Sequence, residues 1–204
     1  MANEIANTGN ASQLITVEVS EYGSTAATVT AWQRNGACWS MALGPYSGAV
    51  GFNGISTNKH EGDGTTPAGL YGFEATIYGN APNPGVSYPY HQLVCGDWWD
   101  EDSSSSTYNM FENVACGSSP AFNDGSSEAL WTETAPYPSF AVINYNPSNT
   151  PGLGSAIFLH AYTGSPTSGC VSIPLADLDQ VLDWMYPSSS PAIDIGTAAT
   201  ITSY

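Results

Sequence analysis

Short stretches in which apolar and polar residues alternate, each closed by Gly, Pro or Asn, recur along this 204-residue chain, and one segment alone carries helical spacing. Successive side chains of a strand point to opposite faces, so such stretches bury one face each and must be layered into sheets. Residues 14–19 and 27–32 alternate on either side of a Tyr22-Gly23-Ser24 turn and read as a hairpin. Further strands are expected over residues 39–43, 49–52, 70–76, 139–145, 156–160 and 170–173. The exception follows Pro174, where Leu175, Leu178, Val181, Leu182 and Met185 recur at helical spacing. Pro174 suits the first helical position and Pro187 the stop. The expected fold class is mainly β: a sandwich with one helix covering a face of the sheet directly after Cys170.

The hydrophobic fraction of 42% is enough for one core, so a single domain is expected over residues 13–204 after a flexible N-terminal segment, 1–12. Residues 80–137 lack clear periodicity, yet are too many for a structureless connection in a compact domain. They read as an irregular insert, a lid or cap. Cys95 and Cys116 bracket its Ser-rich part, and a disulfide between them would contribute roughly 3 kcal/mol by closing that loop. Cys38, between Ala37 and Trp39 in a strand-like stretch, reads as a buried free thiol.

Two basic residues, Arg34 and Lys59, stand against 18 acidic ones, a formal net charge of −16. Such a chain repels nucleic acid and anionic membranes, which sets both aside as partners. No apolar run is long enough to span a bilayer. Residues 1–12 lack the basic start and apolar centre of a signal peptide, so the chain reads as the mature form of a secreted or cell-envelope protein. A monomer is expected.

The chemistry concentrates in Ile157-Phe158-Leu159-His160, a buried-strand pattern ending in an imidazole, and in Ser168-Gly169-Cys170-Val171, just ahead of the helix. A thiol attacks a carbonyl as its thiolate, and a neighbouring His can take that proton and hand it to a leaving amine. Gly169, lacking a Cβ, lets a substrate carbonyl approach, and main-chain N–H groups there are candidate oxyanion donors. Spacing alone leaves a buried structural Cys and a satisfied core His as equal readings.

His160 followed by Ser168-Gly169-Cys170-Val171 resembles the signature of the L,D-transpeptidase (YkuD-like) catalytic domain. There a His and a variable loop precede Ser-His-Gly-Cys and an aliphatic residue. Lys59-His60-Glu61-Gly62-Asp63-Gly64-Thr65-Thr66-Pro67-Ala68-Gly69 resembles the family's other segment, a Gly-Asp-Gly turn leading to Thr-Pro-x-Gly and a strand. The similarity runs from about Val17 to Ile195 and is greatest to secreted actinobacterial members with a long insert. It implies a β-sandwich enzyme, free of cofactor and metal, that acts on peptidoglycan stem peptides. In such enzymes Cys attacks the third residue's carbonyl, expels the terminal D-alanine and leaves a thioester, which an amine of a second stem resolves. Carried over, Cys170 is the nucleophile, His160 the base, and Gly169 with Cys170 the oxyanion donors.

Two positions depart from the pattern: Ser168 stands where the family commonly has His, and Ser172 where it often has Arg, leaving His160 to carry the proton chemistry. A hydrolytic relative, such as an L,D-carboxypeptidase, amidase or endopeptidase, and a decayed wall-binding module therefore stay open. Ser168 and Tyr162, flanking the catalytic pair, are candidate substrate contacts. Lys59 is a candidate for a substrate carboxylate, its plainer role being a turn-edge charge that offsets Glu61 and Asp63. Trp98 and Trp99, within Asp97-Trp98-Trp99-Asp100-Glu101-Asp102, suit glycan stacking or stem amines, or else pack the cap with solvated acids outside. Those acids lack EF-hand order, and His60 and His91 lack zinc spacing, so no metal site is assigned.

Overall fold

The computed structural model describes Ile5 and residues 8–201. Its strands follow the alternation in the sequence. β1 (Gln13–Val19), β2 (Ala26–Asn35) and β3 (Cys38–Ala49) form an antiparallel meander; β4 (Ile55–Ser56) and β5 (Thr66–Pro67) pair as a short parallel ladder. β6 (Gly69–Gly79) leads to β7 (Tyr90–Gln92), β8 (Asp97–Asp100), β9 (Met110–Asn113) and β10 (Glu128–Ala129). Then come β11 (Phe140–Ile143), β12 (Phe158–Ala161), β13 (Val171–Ile173), the single helix α1 (Leu175–Trp184) and β14 (Ala192–Thr197).

The main sheet runs β11-β12-β13-β3-β2-β1-β14-β6-β7, and β6 pairs with β11 as well, so the sheet closes on itself. The layers of the expected sandwich are thus halves of one continuous sheet. Alternation decides what each half buries. Ile15, Val17 and Val19 of β1, Leu159 and Ala161 of β12, Val171 and Ile173 of β13, and Ile193 and Ile195 of β14 share one aliphatic core. Each of the valines, leucines and isoleucines contributes about 1.5–3 kcal/mol when fully buried, so a one-residue slip in register would forfeit the whole row. α1 adds Leu178, Val181, Leu182 and Met185 to that core and packs against β12 and β3. Ten residues are too few for a stable isolated helix, so this packing holds it.

Several expectations are corrected. Cys38 is exposed, because it faces Asn35 at the turn end of the β2–β3 hairpin while its neighbour Trp39 takes the buried side. The two strands expected near residues 39–43 and 49–52 are largely one, β3. It passes through Gly44-Pro45 by shifting register opposite Val29–Trp32, so pairing with β2 resumes despite the missing proline N–H. Pro174 is the residue before α1 rather than its first, and α1 ends at Trp184, ahead of Pro187. β14 was not anticipated, although Ile193 and Ile195 alternate there. The expectation of a flexible start is a separate matter, since it falls partly outside the described residues; among those described there, Ala11 is buried and the Ser12 N–H donates to Ser189 O at 2.8 Å.

The insert contributes β7 to the main sheet and otherwise forms a separate sheet, β10-β8-β9, with Cys95 and Cys116 joined in a disulfide beside the β8–β9 pair. It lies over the outer face of β11 and β12: Trp99, Leu130 and Tyr137 cluster with Phe140, Val142 and Phe158. The expected solvated acids are not all outside. Asp97 and Asp100 are fully buried. Asp97 accepts from the Val94 N–H and Asn113 and pairs with His91, and Asp100 accepts from Thr107 and the Asp102 N–H. An acid with a full set of donors can be interred at tolerable cost, and these two knit a segment that has little aliphatic core of its own.

Candidate active site

Cys170 sits at the turn into β13, one residue before Val171 pairs with Leu159 of β12. The two motifs that lie far apart in sequence meet here. The Thr66 hydroxyl of the Thr-Pro segment donates to Cys170 O at 3.0 Å and accepts the Gly51 N–H at 2.8 Å. The Thr167 hydroxyl also donates to Cys170 O, at 2.7 Å. Two donors on one carbonyl fix the peptide that carries the Cys170 thiol. Gly169 takes φ +152, and a Cβ there would lie 3.1 Å from Thr65 O and 3.3 Å from Ile157 Cδ1, so both backbone angle and space call for glycine. Its N–H donates to Thr167 Oγ1 at 3.2 Å. The Cys170 N–H has no hydrogen-bond partner among the described residues.

Because β12 and β13 are parallel and in register, Phe158, His160, Cys170 and Ser172 all project from the same face, beneath the cap. The thiol donates to Ala156 O at 3.2 Å and accepts the Phe158 N–H at 3.3 Å. His160 is 7% exposed, and its Nδ1 donates to Ala161 O at 2.9 Å, a tautomer that leaves Nε2 as the lone-pair nitrogen. The Tyr137 ring packs edge-on against His160, centroids 5.6 Å apart. No hydrogen bond joins His160 to the thiol. Burial lowers His160 to about 4 against the pull of Ala161 O. Burial, then the Glu128 carboxylate, pushes the Cys170 thiol well above its ordinary range; Phe158 N–H and Lys59 oppose this and Glu101 adds to it. The resting pair is therefore neutral thiol and neutral imidazole.

A cavity of about 140 Å³ opens at Cys170, lined by Lys59, Glu61, Glu101, Glu128, Ser155, Ser168 and Gly169 among others. Lys59 is 5% exposed and donates to Asp63 Oδ1 at 2.9 Å. Burial works against ionisation of Asp63, but Lys59 and the Thr65 and His60 N–H groups hold it down at about 2. Lys59 is thus both the partner of an acid in its turn and a wall of the cavity. Ser168 is at the cavity rim and exposed. Trp99 is buried, its ring edge-on to Phe158 at 5.1 Å, so it packs the cap down; Trp98 faces away toward Phe122 and Trp131. Tyr162 is 44% exposed and not among the cavity residues. Sequence reasoning missed Thr66, Thr167, Glu128 and Tyr137, and met Glu101 only within the acidic run 97–102. The Thr-Pro segment itself was the one available signal for Thr66; the acids of the insert look like any solvated carboxylates.

Comparison with known proteins agrees with this architecture. The family described as the L,D-transpeptidase catalytic domain (YkuD) matches residues 13–199, nearly the whole chain. No curated protein and no solved structure gives a significant match.

Proposed function

As the chain belongs to the L,D-transpeptidase catalytic domain family, whose activity is on peptidoglycan, we propose that it is a cysteine-dependent L,D-transpeptidase of the cell envelope, working as a monomer. The observation that carries this reading is Cys170 and His160 on one face of adjoining strands, with His160 Nδ1 pinned and Nε2 free.

In this reading a stem tetrapeptide enters the cavity and its third-residue carbonyl meets Sγ. Nε2 of His160 accepts the thiol proton as Sγ attacks, a contact that tightens only on the way to the transition state. The unengaged Cys170 N–H faces the developing oxyanion. Imidazolium then protonates the departing D-alanine amine, leaving a thioester on Cys170. Thiol and imidazole start neutral, so proton transfer is uphill until substrate excludes water and supplies oxyanion contacts; this guards a secreted thiol against adventitious reaction. An amine of a second stem resolves the thioester to form a cross-link. The disulfide and the family's wall substrate support an extracytoplasmic location.

The test is release of D-alanine from a purified stem tetrapeptide. It is expected from the parent and absent from Cys170→Ala; release persisting in that variant would remove Cys170 from its role.

A further inference from the structure

The family reading leaves the acidic wall of the Cys170 cavity unused. Glu101 follows β8 and Glu128 lies on β10, so both carboxyls are brought to the thiol by the cap. Glu128 Oε2 accepts the Tyr137 hydroxyl at 2.6 Å, and Tyr137 in turn rests on His160. Glu61, the third acid, is committed: its Oε2 accepts from Tyr108 and, at 2.7 Å, from Ser155. The only cation lining the cavity among the described residues, Lys59, is committed to Asp63. A small cavity with a thiol on one side and, on the other, two carboxyls that no lysine or arginine among the described residues pairs with, Glu128 accepting only from Tyr137, is shaped for a cation that arrives from outside.

We propose that Glu128, with Glu101 beside it, binds the second substrate as an ammonium ion and takes its proton, so that the thioester is resolved by an amine in preference to water. This rests on the thioester reading above. In the step, Glu128 carboxylate removes one proton from R–NH₃⁺. The free amine nitrogen bonds to the thioester carbon, and the carbon–sulfur bond breaks. A second nitrogen proton passes through His160 to the leaving sulfur, giving amide, Cys170 thiol and Glu128 carboxylic acid. Charge and protons balance, and Glu128 returns its proton to solvent between turnovers.

Two half-buried carboxyls lining one small cavity resist ionising together. Glu101 is pushed up to about 9 by burial and by Glu128, Glu61 and Asp100, with Ser155 opposing. Glu128 is raised by burial and by Glu133, with the Tyr137 hydroxyl opposing. The pair therefore holds one proton near neutrality: an acid, and a carboxylate of raised proton affinity. An ordinary carboxylate lies about 6 pKa units below an alkylamine, too wide a gap for ready proton transfer; burial narrows it. Water carries no charge for the pair to hold, which is where the preference arises.

The test uses the full chain, a stem tetrapeptide donor and Nα-acetyl-lysine as the amine, comparing the parent with Glu128→Gln and Glu101→Gln. Glutamine keeps an acceptor for Tyr137, and two variants guard against one misfolding. Acyl-enzyme should still be seen by intact mass in both. The ratio of amide to hydrolysed product should fall about a hundredfold in Glu128→Gln, with a raised KM for the amine. An unchanged ratio in both variants, with acyl-enzyme present, overturns this proposal alone. Absence of acyl-enzyme in the parent overturns the thioester reading and this proposal with it.

Discussion

The strands β11, β12 and β13 present two faces that solve different problems. Inward, Ala141, Ile143, Leu159, Ala161, Val171 and Ile173 join a core of branched aliphatic chains. Outward, Phe140, Phe158, His160 and Cys170 lie among aromatic rings and carboxyls supplied by the cap. The inner face gains stability from area removed from water, without regard to direction. The outer face spends some of that stability on burying polar groups that water would otherwise solvate: a thiol, an imidazole, and the hydroxyl of Ser172, unpaired among the described residues. The candidate site lies where the sheet is covered by a segment held through hydrogen bonds and a disulfide, and so can be remodelled without disturbing the core.

The comparison is broken most severely at His160. Replacing it by Ala should lower the rate of D-alanine release by about 10²–10⁴ while the fold persists; a near-parental rate would move the base elsewhere. The next effect separates the faces by stability. Leu159→Ala should cost about 2–5 kcal/mol and lower the cooperative unfolding of the entire sheet. Trp99→Ala, of similar size at about 3–5 kcal/mol, should instead free the amides of β8 and β9 to hydrogen exchange while β1 and β2 stay protected. Equal loss of protection in both regions would mean that cap and core are one unit.

The smallest effect concerns a third place, the opposite side of β14, where Asp194 is fully buried with neither oxygen hydrogen-bonded. Burial raises it from 3.8 to about 7. Below about pH 4 both folded and unfolded chains hold the proton. As pH rises toward 7 the unfolded chain releases it first, so stability falls across that window and stays lower above it. The expected loss is roughly 2–4 kcal/mol, and Asp194→Asn should flatten it in chemical denaturation at pH 4 and 8. Asp63, held at about 2, acts in the opposite sense and lower down: its stabilisation is lost as pH falls through 4 toward 2. The two therefore do not cancel.

The inner face was legible because alternation is local: the β1–β2 hairpin and the row Leu178, Val181, Leu182 can be read from spacing alone. The family's two motifs pointed to Cys170 and His160, which the fold places on one face of adjoining strands. Cys38 was misread since its strand-like neighbourhood says nothing of where a hairpin turns. β14 is short and follows Pro191, so its two isoleucines gave a weak signal. Glu101 and Glu128 were illegible for a deeper reason. Trp98 and Trp99 beside Glu101, and Leu130 and Trp131 beside Glu128, announce burial of the segment but not of the acids, and only the folding of the cap onto β11 and β12 sets them against the thiol. Thr66 acts through a carbonyl 104 residues away, a relation that no local pattern encodes.

The central claim is that Cys170 becomes acylated by a stem peptide. Intact-mass spectrometry of the protein quenched during turnover of a stem tetrapeptide tests it most directly. The account predicts a mass increment equal to the tetrapeptide less D-alanine, reversed by hydroxylamine and absent from Cys170→Ala. An unmodified parent with a demonstrably free Cys170 thiol, or an increment that survives in Cys170→Ala, would contradict it.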